Sequence, residues 1–149
     1  MRTNGSITLY NKYTDKITSK EMYKKTIIKR AMWQSEKLAA VSTTESGKGA
    51  LNSADVFNIY IPLSNNEFGN KQYIEPHAWN LLADADRDNY FTFQKLDKVV
   101  KGECPFEFVP VTNPIINLDA KFDNVCTIFS TKLNDFGSKT LSHYSIGGK

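Results

Sequence analysis

Cysteine, histidine, long apolar runs and dense charge of one sign are all scarce in this chain, and each scarcity removes a class of function. Its two cysteines, Cys104 and Cys126, are 22 residues apart, with no C-x-x-C and no histidine at ligand spacing. A disulfide framework or a compact zinc site has nothing to start from, so both read as ordinary reduced thiols and no metal or cofactor is expected. His77 and His143 are the only side chains with an unperturbed pKa suited to proton transfer near neutrality. Neither has a nucleophile or carboxylate at a recognisable motif spacing, so the sequence predicts no enzyme. No apolar run approaches the roughly 20 residues that span a bilayer, and Met1–Ser6 lacks the apolar core of a signal peptide. A soluble chain that folds in a cytoplasm and has no membrane partner is the expectation. The net charge of +3 and pI near 8.8 fall short of a dedicated nucleic-acid binder.

What is present suits one domain spanning 1–149. The chain is 40% apolar and 12% aromatic, enough to bury a majority of its unfolded surface without staples. Its charge is uneven. Residues 1–50 hold ten Lys/Arg against four Asp/Glu, and residues 51–149 hold nine against twelve. The two parts are either solvated surfaces or complementary faces that meet between copies.

Strand signals dominate. In Ala54–Leu63, Phe57, Ile59, Ile61 and Leu63 share one face, with Pro62 marking either a strand end or an edge. Val125–Lys132 reads as a strand that could be covered on both faces. Tyr90–Phe93, Gln94–Asp97 and Lys98–Gly102 read as strand, tight turn, strand. Residues 5–10 and His143–Ile146 add two more. Residues 20–41 have both helical and strand periodicities, and strand is preferred because convincing caps are missing and β-branched and aromatic residues are frequent. One short helix is predicted from Pro76 to about Asp84, with Trp79, Leu82 and Ala83 as its apolar stripe. Ser42–Ser53 and Pro105–Asn117 read as loops. The sum is a mainly β chain, a small β-barrel or sandwich with one short helix and long loops.

Local motifs add little chemistry. Asp135-Phe136-Gly137 spells the kinase magnesium tripeptide, but a kinase needs a glycine-rich loop and an H-R-D that are missing. A turn before the last strand, with Gly137 at an unusual backbone angle, is the simpler reading. Asp84, Asp86 and Asp88 have the opening spacing of an EF-hand loop, yet Asn89 and Lys95 occupy the glycine and glutamate positions. Gly47-Lys48-Gly49 lacks the rest of a phosphate-binding loop and reads as a hairpin tip. Lys24, Lys25, Lys29 and Arg30 form the tightest basic cluster. They are either a face that meets acidic neighbours or water, or a lining that touches DNA through its phosphates.

Four stretches occur in an order and spacing that resemble a known family. They are Ile7–Tyr13, Ala54–Val56 leading to Ile59–Pro62, Tyr90–Gln94 leading to Asp97–Glu103, and Asp135–Ser138 leading to His143–Lys149. The family is that of the small head-to-tail connector proteins of siphophages and prophages of Gram-positive bacteria, most like the head-completion or stopper proteins. Lys139-Thr140 and Tyr144 depart from its usual Pro-His pair and tryptophan, and Lys95-Leu96 from a more turn-like Pro-Gly. The resemblance implies a virion protein of the phage neck, a β-barrel in a homo-oligomeric ring of roughly six or twelve copies. That ring would lie between portal or adaptor and the tail-terminator or tail-tube proteins, retain packaged DNA with possible non-specific contact to it, and dock the tail. On that reading Ser46, Gly47, Lys48, Gly49 and Asn52 are the channel or gating loop, Lys24, Lys25, Lys29 and Arg30 a basic face, and Phe136, His143 and Tyr144 docking residues. The alternatives are a tail-terminator or adaptor ring of the same neck, or an accessory binding module using Trp33 and Trp79 as stacking platforms.

Overall fold

Period-two alternation turns this chain into the wall of a barrel. The computed structural model describes residues 2–36, 39–43, 49–53, 56–135 and 137–149, with side chains outside the range 36–55. Six antiparallel strands close on themselves. They are β1 (Gly5–Thr14), β2 (Glu21–Glu36), β5 (Val56–Pro62), β8 (Lys98–Lys101), β9 (Val125–Asn134) and β10 (His143–Gly148), in the spatial order β1-β2-β5-β10-β9-β8. The mainly β fold expected from the sequence is thus a closed barrel. Full closure removes the open edges that a sandwich of this size would expose.

The interior is packed with side chains. Ile7, Leu9, Ile28, Trp33, Ile59, Ile61, Val99, Ile128 and Ile146 meet there, and Phe91, Phe93 and Tyr144 join them. Phe68 and Tyr73 close over the same aromatic group, Tyr73 lying 4.8 Å from Tyr144 between ring centroids. A barrel of six strands filled this way is a core and leaves no pore through one copy.

β2 is the longest strand and serves two partners. Its first part pairs with β1, from Thr14↔Glu21 to Gly5↔Ala31. Its last part pairs with β5, from Met32↔Tyr60 to Glu36↔Val56. The segment of ambiguous periodicity is therefore strand, continued by β3 (Ala39–Thr43), which pairs with β4 (Gly49–Ser53). From Glu36↔Val56 to Ala39↔Ser53 both chains advance by three residues. The β3–β4 ribbon, called the arm below, therefore has the same pairing offset as β2–β5. Much of the stretch predicted as a loop from Ser42 to Ser53 is paired backbone.

A second, smaller core lies outside the wall. Tyr10 and Val100 point away from the interior and are covered by Cys104, Phe106 and Leu118 from the segment that follows β8. Tyr10 donates its hydroxyl to the Phe106 carbonyl at 2.8 Å. Both faces of β1 are covered, which explains its run of five buried residues from Ile7 to Asn11.

Several local expectations need correction. Tyr90–Phe91 (β7) does not form a hairpin with β8 but pairs in parallel with Gln72–Tyr73 (β6), because Phe91 and Phe93 turn into the aromatic group. β9 buries only Cys126 and Ile128, and Phe129 to Leu133 are exposed, so it is not covered on both faces. Pro62 marks the end of β5, an interior strand between β2 and β10. The helix α1 (Pro76–Leu81) stops early and gives way to a 3-10 turn at Asp84–Asn89, so Trp79 is its one buried residue. A second helix, α2 (Ile116–Lys121), overlaps the end of the predicted Pro105–Asn117 loop and continues past it.

Candidate functional site

The arm holds two of the predicted gating residues. Gly49 lies opposite Thr43 and Asn52 opposite Ala40 in the β3–β4 ladder, so these two belong to a paired ribbon and not to a free loop. Ser46, Gly47 and Lys48 lie outside the described residues.

The basic cluster is engaged within the chain. Lys24 pairs with Asp88 at 2.7 Å, Lys25 with Glu107 at 2.9 Å, and Lys29 with Glu103. Arg30 donates to the Asn65 carbonyl at 2.8 Å. Lys25 and Lys29 match Glu107 and Glu103 at the same four-residue spacing, which staples the segment after β8 across β2. Such exposed pairs fix orientation more than they add stability. Lys71 joins them from the other side, its ammonium donating to the Lys25 carbonyl at 2.7 Å and to the Thr26 hydroxyl at 3.0 Å. Burial lowers its pKa from the ordinary lysine value.

The docking residues divide. Tyr144 is 6% exposed and belongs to the aromatic core, so it cannot dock a neighbour; burial, reinforced by its hydrogen bond to Tyr73, raises its hydroxyl pKa. An aromatic at this position alternates inward with Ile146, which the strand periodicity of β10 already required. His143 is half-buried against the Tyr60 ring at 5.9 Å, with Asn134 and the Leu141 carbonyl on its two nitrogens. Phe136 lies outside the described residues. Gly137 has φ +87°, the turn geometry expected before the last strand.

Trp33 is 4% exposed and Trp79 is fully buried, so neither can serve as a stacking platform. Trp79 and Arg87 instead lock the helical segment onto the end of β1. The Arg87 guanidinium lies 4.6 Å from the Tyr13 ring centroid, donates to the Trp79 carbonyl at 3.1 Å and pairs with Asp84. Trp79 Nε1 donates to the Lys12 carbonyl at 3.0 Å. The acidic triplet is thus divided: Asp84 serves Arg87, and Asp88 serves Lys24. No group of metal-ligating side chains converges among the described residues.

Sequence reasoning missed the most perturbed carboxyl. Asp97 is buried in the turn before β8, where it accepts from the Lys12 N–H at 2.9 Å, Gln94 Nε2 at 3.0 Å and Asn11 Nδ2 at 2.7 Å. Burial pushes its carboxyl up to about 7 against the downward pull of those donors. Its partners are 86, 85 and 3 residues away, so no local spacing could have revealed the network. Asn11 and Gln94 also bind backbone carbonyls of Thr92 and Lys12. The arrangement ties three segments together and offers no open face for a substrate.

No described helix is long and apolar enough to cross a membrane. No curated protein and no solved structure matches the chain. Residues 2–149, which include the barrel, the arm and both outer segments, match a family of unknown function, DUF6751, and the chain belongs to that family.

Proposed function

We propose that this protein is a structural component of a phage neck, a stopper-like subunit that assembles into a ring between portal or adaptor and tail, retains packaged DNA and docks the tail. The observation that supports the reading is the architecture: a closed, filled barrel and a separate β3–β4 arm with the same pairing offset as β2–β5. A filled barrel supplies a rigid block that can tile with its neighbours, and an arm built on its longest strand supplies a reaching element. Since the interior has no pore, a DNA passage on this reading is bounded by several copies. The resemblance of the four ordered stretches to head-completion and stopper proteins adds the neck as the location. The described helices are all six residues or shorter, which favours a stopper over a mostly helical adaptor.

The test is electron microscopy of the purified protein, alone and mixed with tail-free capsids of the phage that encodes it. Rings, or new density closing the portal vertex, are expected. A protein that adds no density to capsids at any concentration would remove the neck assignment.

A further inference from the structure

The barrel closes through only the first part of β9. β8 pairs with Val125, Cys126 and Thr127. The turn before it reaches one residue further: the Leu96 N–H donates to the Ile128 carbonyl at 2.8 Å, and the Asp97 carbonyl accepts from the Ile128 N–H at 2.9 Å. Past that point β9 runs on to Asn134 with β10 as its one partner among the described residues. The side of β9 that faces away from β10 is therefore an open sheet edge from Phe129 to Asn134. Its backbone donors and acceptors are met by no other described residue.

The side chains on this edge do not suit one left to water. Proteins usually blunt a free edge by brevity, proline or charge. Here the edge has no proline, Lys132 is its one charge, and Phe129 and Leu133 are 47% and 39% exposed. An open groove of about 600 Å³ lies at its start, lined by Lys95, Leu96, Thr127, Ile128, Phe129 and Lys149. Leu96 is exposed in that groove, and no carboxylate side chain lines it. Lys95 and Lys132 have no ion-pair partner among the described residues, whereas Lys24, Lys25 and Lys29 of β2 each have one.

Backbone, apolar surface and charge together select one kind of occupant. Unpaired edge groups are met by an extended chain, which offers its own amides and carbonyls in a row, whereas a helix spends them internally. Alternate side chains of an added strand fall on one face, so apolar residues at every second position suit the surface made by Leu96 and Phe129. The unpaired lysines call for acidic residues in the same segment. We propose that the edge of β9 from Phe129 to Asn134 takes up an extended, acidic peptide segment of a partner protein as an added strand, with an apolar side chain of that segment in the Leu96–Phe129 groove. The backbone supplies affinity, and the groove and lysines supply selection. The inference goes beyond the ring reading and does not depend on it.

The experiment titrates the full, nitrogen-15-labelled chain with a capped seven-residue peptide that alternates glutamate and valine, read by amide chemical shifts. Saturable shifts are expected at Phe129 to Asn134 and at Leu96, together with slower solvent exchange of the edge amides. The same peptide with lysine in place of glutamate should bind at least ten-fold more weakly. A version N-methylated at every residue keeps the side chains, loses the donors and should not bind. Lys95→Glu combined with Lys132→Glu, both at exposed positions, should reverse the preference between the glutamate and lysine peptides. Lys16→Glu combined with Lys20→Glu, in the turn between β1 and β2, should leave it unchanged, and the remaining amide spectrum checks folding. No shifts with the glutamate peptide at about 1 mM, the weak end of specific binding, would overturn the site. Shifts confined to residues away from β9, equal binding of the lysine or N-methylated peptide, or an unchanged preference in the Lys95 and Lys132 variant would overturn it as well.

Discussion

Asn11 Nδ2 donates to Asp97 Oδ2 at 2.7 Å inside the barrel wall, so the turn that enters β8 is fastened to the middle of β1. The acceptor is a carboxyl whose folded pKa of about 7 lies above the roughly 3.9 of an unfolded aspartate. A raised carboxyl contributes stability that is complete below the unfolded value and lost as pH rises through the folded one. The fold should therefore weaken between about pH 4 and pH 7 by roughly 4 kcal/mol from this group, and then level off. Thermal midpoints across that range, for wild type and Asp97→Asn, read the effect. The difference between the two should change with pH below 7 and be constant above it; a difference constant throughout would refute the assignment.

Arg87 is 1% exposed and pairs with Asp84, so truncating it strands a carboxylate and opens space between Tyr13 and Trp79. Arg87→Ala should cost about 3 kcal/mol. Urea unfolding would show a lower midpoint, and a change within about half a kcal/mol would mean that the helical segment is not locked through this residue.

The last two glycines of β10 differ in what they would meet. A Cβ on Gly148 would lie 2.8 Å from Cys126 Sγ and 3.0 Å from the Thr127 carbonyl oxygen, whereas one on Gly147 would lie 2.4 Å from the movable Ser130 hydroxyl. Gly148→Ala should destabilise by about 2 kcal/mol and Gly147→Ala by less, since backbone cannot rotate away. The order of the two unfolding midpoints is the check.

Leu96 sits at φ +74° and is 61% exposed. Replacing it by glycine relieves the left-handed backbone and should raise stability by about 1 kcal/mol. A melting temperature that does not rise would mean that the turn before β8 holds a leucine there without strain.

Cys126 offers a chemical probe of integrity. Burial pushes its thiol up to about 12, and only the thiolate reacts readily. Alkylation at pH 8 should be negligible in the native protein and complete in denaturant; fast native labelling of Cys126 would mean that β9 opens.

The barrel strands were legible because their periodicity is local. Phe57, Ile59 and Ile61 are buried as their alternation required, and β1 and β10 fell where expected. What the sequence could not show depends on contacts across long separations. Phe91 faces Tyr73 instead of starting a hairpin, and α2 was hidden because Pro110 and Pro114 read as loop signals although proline also suits the approach to a helix. The candidate site was less legible than the fold. Lys24, Lys25 and Lys29 formed a cluster in the sequence, but their partners Asp88, Glu107 and Glu103 come from two other segments. Tyr144 as a docking residue followed from family resemblance, against the inward alternation of its own strand.

The two partnerships of β2 also have a mechanical meaning. A pull along this strand is carried as shear, where the hydrogen bonds to β1 and to β5 resist together, and not as a peeling load that breaks them in turn. Tension applied at one end of β2 passes along the same backbone into both neighbours, so the barrel would feel it as a unit.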